Sequence, residues 1–150
     1  IELLWRAGKY ADANMLPEVY PECVRKATVS IYPTVRKTDI ASLNLHQQLL
    51  LLAVARAFKQ SLKAYATIGE IEEIYKVICE EYDEKPKSHV QIWKYAKQLS
   101  ALGIIETKPS SIGQRGKTTL IGLHQIPALE LEKEISLLLE KDLKEKNNWK

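Results

Sequence analysis

At Gly103 the spacing of apolar residues changes from helical to extended. Before it, in KSHVQIWKYAKQLSALG, Ile92, Ala96 and Leu99 recur at i, i+4, i+7, the repeat that lines one face of a helix. After it, Ile104 and Ile105 begin a β run that Thr118, Thr119, Leu120 and Ile121 resume beyond the loop KPSSIGQRGK. Ser88 stands where an N-cap is needed, Gln91 three residues on completes a capping box, and Pro86 keeps the helix from starting earlier. Gly103 takes the position past the helix end, where a left-handed residue is needed. The spacing predicts helix, strand, glycine-bearing loop, strand. The face opposite the apolar stripe is read as Gln91, Lys94, Tyr95 and Gln98, and Trp93, on the flank, is assigned to the core.

Charge gives this stretch a direction. From Lys85 to Thr118 seven cations (Lys85, Lys87, Lys94, Lys97, Lys108, Arg115, Lys117) face Glu106 alone, a net of +6. Glu70 to Glu84 carries seven acids and one lysine, a net of −6, and the whole chain is only +3. The positive charge is therefore segregated onto one surface element, as nucleic-acid binding requires. A basic helix followed by a β-hairpin with a basic tip is the winged-helix arrangement. Its helix fits a DNA major groove, and the hairpin tip can reach the neighbouring minor groove.

The rest of the chain is read as helices. Leu3, Leu4, Ala7, Tyr10 and Ala11 fit an amphipathic first helix, and Pro21 opens a second, PECVRKATVSIY, closed by Pro33. TVRKTDIASL is read as a linker. From Asn44 to about Ala66 the sequence predicts one long helix, apolar on most sides in its first half and hence a buried strut. Thr67 with Glu70 makes a capping box for the next helix, whose Ile71, Ile74, Tyr75, Ile78 and Tyr82 face inward. Pro127 starts a last helix with Leu131, Ile135 and Leu138 at helical spacing; it is expected to pack on the winged-helix core, with the tail KNNWK frayed.

Composition narrows the function. The 150 residues are 45% hydrophobic, enough for a proper core, and the longest apolar run, Leu49 to Ala55, is far short of a membrane span. Cys23 and Cys79 have no partner spacing and read as reduced thiols of a cytosolic protein. His46, His89 and His124 stand without metal-ligand spacing, and no catalytic constellation is visible. GKT at Gly116 to Thr118 imitates a phosphate-binding loop, but the pattern needs glycine at 111, where Ser111 stands, and a helix afterwards instead of β-branched residues.

LNLHQQLLLLAVARAF, TIGEIEEIYKVICEEY, QLSALGIIETK and GQRGKTTLIGL together resemble the C-terminal winged-helix domain of the archaeal origin-recognition and replication-initiator proteins, relatives of the eukaryotic origin recognition complex and cell-division-control initiators. The first 40 or so residues resemble the end of the helical lid of that family's AAA+ ATPase module. The resemblance implies a mainly α fold with a small β-hairpin: a winged helix-turn-helix with its C-terminal helix over 41–150, preceded by AAA+ lid helices and linker over 1–40. It also implies binding to double-stranded origin DNA, through Ser88, Gln91, Lys94, Tyr95 and Gln98 on the helix and Gln114, Arg115 and Lys117 on the wing.

As partners it implies the minichromosome maintenance helicase and other copies of the initiator, with no membrane, in a cytoplasmic, nucleoid-associated protein. ATP and magnesium are implied for the family's ATPase module, not for this chain, which is expected to be no enzyme. Two rivals share the fold: a transcription regulator, and a winged helix used as a protein-interaction module, against which the basic wing argues. The pattern leaves open whether Ser88 only caps its helix and whether Tyr95 packs under the wing.

Overall fold

A computed structural model describes residues 2–31, 37–110, 118–123 and 126–148. Among these residues seven helices and three strands follow in the order α1 (Glu2–Ala13), α2 (Pro21–Ile31), α3 (Lys37–Ala41), α4 (Leu45–Gln60), β1 (Tyr65–Thr67), α5 (Ile68–Glu81), α6 (His89–Ala101), β2 (Glu106–Ser110), β3 (Thr118–Gly122) and α7 (Ala128–Asn148). The expected hairpin is part of a three-stranded antiparallel sheet of order β1-β3-β2. Tyr65 pairs with Gly122 on one side of β3, and Glu106 with Gly122 on the other.

α4 is the strut that its composition requires. Leu49 to Ala55 are all fully buried, so this part of the helix is enclosed on every side, with α5, α6 and α7 packed against it. Asn44 and Gln47 close a reciprocal capping box at its start, as Thr67 and Glu70 do for α5. α4 ends at Gln60, however, and not near Ala66. Ser61 turns extended, and Tyr65 to Thr67 leave the helical pattern to pair with β3, whose backbone groups would otherwise form an open edge. The expected linker holds a short helix, α3, because Ile40 and then Leu43 drop into the main core. At the other end α7 continues through Asn148. Cys23 and Cys79 are free and buried.

α1 and α2 close around a second, small cluster of Ala7, Ala11, Cys23 and Ala27. A buried joint ties this pair to the larger core. Arg25, 1% exposed, donates from Nε to the Leu123 carbonyl and from Nη1 to Glu22 Oε2 at 2.7 Å, and its guanidinium lies 4.8 Å from the Phe58 ring centre. Glu22 turns its other oxygen to the Ala128 N–H at 3.0 Å, satisfying a donor in the first turn of α7. Lys26 reaches Glu130 at 2.6 Å on the surface beside it.

Candidate nucleic-acid interface

α6 is held from both ends. At its start the Ser88 Oγ accepts from the Gln91 N–H at 3.4 Å, without the reciprocal bond expected from Gln91, so Ser88 is a simple cap. The loop leading into it is anchored to the core: the buried Tyr75 hydroxyl accepts the Lys87 N–H at 3.1 Å and meets His46 Nδ1 at 2.8 Å. Burial pushes the Tyr75 hydroxyl well above its ordinary value, so it stays a neutral anchor. At the far end Gly103, with φ of +76°, lets its N–H reach the Ser100 carbonyl at 3.0 Å and lets Ile104 reach that of Leu99 at 3.1 Å. This paired closure turns the chain back, buries Ile104 and Ile105, and starts β2. The Thr107 hydroxyl meets that of Ser100 at 3.2 Å and fixes the sheet against the helix.

Ile92, Ala96 and Leu99 are buried as their spacing requires, and this sets the outward face. Its centre is not the expected one. Lys94 and Gln98 are exposed, but Gln98 accepts from Gln47 Nε2 at 2.7 Å, Gln91 is half-buried, and Tyr95 packs against the core. These residues lie along the α4 side of the helix, and their contacts follow from that proximity. Val90 (62% exposed), Lys94 and Lys97 stand at the front. Trp93, assigned to the core from its flanking position, is 42% exposed, with Lys97 Nζ 5.5 Å from its ring centre. It sits one stripe around, seven residues before Ser100, on the side that meets β2. For Val90 the signal was present, since residues opposite a 92/96/99 stripe on a helix are 90, 94, 97 and 101 and an apolar residue there does not turn inward because it is apolar; Trp93, about a quarter turn from the stripe, carries no such signal.

Several acids of α5 and of the loop after it are engaged by side chains other than the lysines of the basic face. Glu72 meets His89 at 2.5 Å, Glu73 meets Lys76 at 3.1 Å, Glu81 meets Arg56 at 2.9 Å, and Glu84 meets Lys146 at 3.9 Å. Among the described residues Lys85, Lys87, Lys94 and Lys97 form no ion pair, and all four are exposed. On the sheet, Lys108 Nζ lies 3.8 Å from the Tyr65 ring centre, linking the two outer strands across β3. Gln114, Arg115 and Lys117 lie outside the described residues, between Ser110 and Thr118, the last pair of the β2–β3 ladder. No group of three metal-ligating side chains occurs among the described residues, and no described helix is long and apolar enough to cross a membrane.

Comparison with known proteins agrees with this geometry. Residues 38–133 match the family model of the CDC6 C-terminal winged-helix domain. This chain belongs to that family. Over 125 residues it is 36% identical to an ORC1-type DNA replication protein 2 of Saccharolobus solfataricus, covering 82% of this chain and 30% of that protein. Its fold superposes on the crystal structure of Cdc6p from Pyrobaculum aerophilum with a TM-score of 0.86 at 35% identity, over 95% of this chain and 36% of the other. The ORC1 protein of Aeropyrum pernix, solved in complex with DNA, superposes with a TM-score of 0.61 at 25% identity, covering 94% of this chain and 35% of that one. The chain thus spans about a third of the length of the relatives it matches.

Proposed function

We propose that this chain is the duplex-DNA-binding end of an archaeal-type replication initiator and acts at replication origins. The observation that carries this is the outward face of α6 and its entry loop, where four exposed lysines form no ion pair among the described residues, Lys85 and Lys87 in the loop and Lys94 and Lys97 on a helix capped at both ends. A family member solved in complex with DNA supports it. In this reading α6 enters a major groove, with Ser88, Gln91, Tyr95 and Gln98 at one edge, while Gln114, Arg115 and Lys117 of the wing approach the adjacent minor groove. An arginine at such a tip senses a groove narrowed by A·T-rich sequence.

Further proposals rest on the family alone. α1 and α2 are the end of an AAA+ lid, and the initiator works on the nucleoid with other initiator copies and the minichromosome maintenance helicase. ATP and magnesium belong to the ATPase module and not to these residues. They do not fit, since Ser111 replaces the glycine of a phosphate loop and the strand β3, not a helix, begins at Thr118.

The test is duplex binding across a salt series. Displacing counterions from about 4–6 phosphates gives a log–log slope of roughly −4 to −5. Lys94→Ala should weaken binding to all sequences alike, and Arg115→Ala should lose most on A·T-rich duplexes. No binding at low salt, or binding indifferent to salt, overturns the proposal.

A further inference from the structure

We propose that Val90 and Trp93 read thymine, through its 5-methyl group, and so supply sequence preference to α6. This rests on the duplex-binding function proposed above and names a part of it that the basic residues cannot perform.

The outward face of α6 is poor in hydrogen-bonding readers. Gln91 is half-buried, Gln98 already accepts from Gln47, and Tyr95 is packed on the core. Lys94 and Lys97 are exposed point charges, suited above all to phosphates. Two large apolar side chains remain. Val90 lies in the first turn of α6, the end that recognition helices bring to the base edges, and is 62% exposed. Trp93 follows one turn later on the β2 side, 42% exposed, with Lys97 against its ring.

In a major groove the apolar group that a base edge offers is the thymine 5-methyl, so an isopropyl group there distinguishes thymine from cytosine and from uracil. The indole adds a broad apolar surface on which a second methyl can rest, while Lys94 and Lys97 hold the flanking phosphates. A solvent-facing valine one helical turn from an exposed tryptophan, with Lys94 and Lys97 on the same helix, is thus a methyl-reading surface flanked by phosphate-binding charge.

The experiment uses the 150-residue chain and a duplex selected by it from a random-sequence pool, remade with deoxyuridine for thymidine one position at a time. Each substitution removes a single methyl group. The parent should lose about fourfold in affinity at one or two positions, the worth of one buried methyl. Val90→Ala should bind the thymine and uracil duplexes alike at one of these positions, Trp93→Ala at the other, and Val90→Ile should keep the sensitivity. Val90 is exposed, so its replacement leaves folding intact, which thermal melting verifies. Strong, salt-dependent binding that ignores every uracil substitution overturns this inference alone and returns Val90 and Trp93 to a surface for a protein partner. Retained uracil sensitivity in both alanine variants overturns it too. Absence of any duplex binding removes the proposed function with it.

Discussion

Lys94 and Leu99 lie on opposite sides of one helix and should fail in different ways. Leu99 is fully buried, so Leu99→Ala deletes packed methyl groups and leaves a cavity, at roughly 2–5 kcal/mol of stability. Lys94 is exposed and unpaired, so Lys94→Ala should leave the melting temperature within a degree or two, by the small cost of surface changes, while weakening duplex binding. Thermal melting and binding on the same two proteins check this, and an exchange of the outcomes would reverse the faces of α6. The inward face was legible because burial imposes a period: Ile92, Ala96 and Leu99 declare it unaided. The outward face was less legible at Trp93. Spacing gives an angle around the helix but not how far neighbouring elements reach, and β2 leaves the indole partly uncovered. Tyr95 and Gln98 carry contacts that spacing does not show, since Tyr95 packs against the core and Gln98, though exposed, accepts from Gln47 of α4.

At the scale of elements, strong caps and closures were visible and weak pairings were not. Thr67 with Glu70 and Gly103 declare an α5 start and an α6 end in the sequence itself. β1 is three residues long, too short to show alternation, and it follows an alanine-bearing stretch that continues the helical pattern of α4. Only its partner β3, over fifty residues away, makes it a strand.

Distance in sequence, 29 residues from His46 to Tyr75 and 12 from Tyr75 to Lys87, also hides the anchor of α6. His46 from α4 meets the Tyr75 hydroxyl of α5, which accepts the Lys87 N–H, and Glu84 lies 3.9 Å from the imidazole, too far for a hydrogen bond. Burial, and then the Lys87 ammonium, hold His46 below its ordinary 6.5, while the Glu84 carboxylate pulls the other way. The folded state thus resists protonation that the unfolded chain accepts. Stability from this group is complete above about pH 6.5 and is lost as the pH falls from there toward the folded value. Melting temperatures at pH 7.5 and 5.5 check it: the parent should lose more than His46→Gln on acidification, and equal losses would remove His46 as a source of acid sensitivity.

For the molecule as a whole the question is how the α1–α2 pair stays attached. Among the described residues its own core is four small buried side chains, Ala7, Ala11, Cys23 and Ala27, with the partly buried Leu3, Tyr10, Leu16, Tyr20 and Val24 packed on them, far less than the cluster around α4. Burial on that scale cannot offset the entropy of ordering two helices, so the pair depends on its joint with the winged helix. Arg25 is the centre of that joint, and Glu22 completes it by holding both Arg25 and the start of α7. Buried ion pairs give modest net stability when intact, because desolvation opposes the attraction, but losing one partner is costly. Nη2 of Arg25 is buried without a partner, so the joint is already imperfectly satisfied. Arg25→Ala takes the partner from the Leu123 carbonyl and from Glu22 Oε2, leaving Glu22 only its bond from the Ala128 N–H, and opens space beside Phe58, at a cost of about 3 kcal/mol. That loss should fall unevenly, because regions of few buried contacts open before the core does. Amide hydrogen exchange should therefore show α1 and α2 exchanging much faster in Arg25→Ala while α4 keeps its protection. Arg25→Met, which refills the volume without the charge, should recover part of the protection, since packing beside Phe58 returns and the buried charge does not. Uniform acceleration across both clusters would instead make the chain one cooperative unit, with Arg25 an ordinary member of its core.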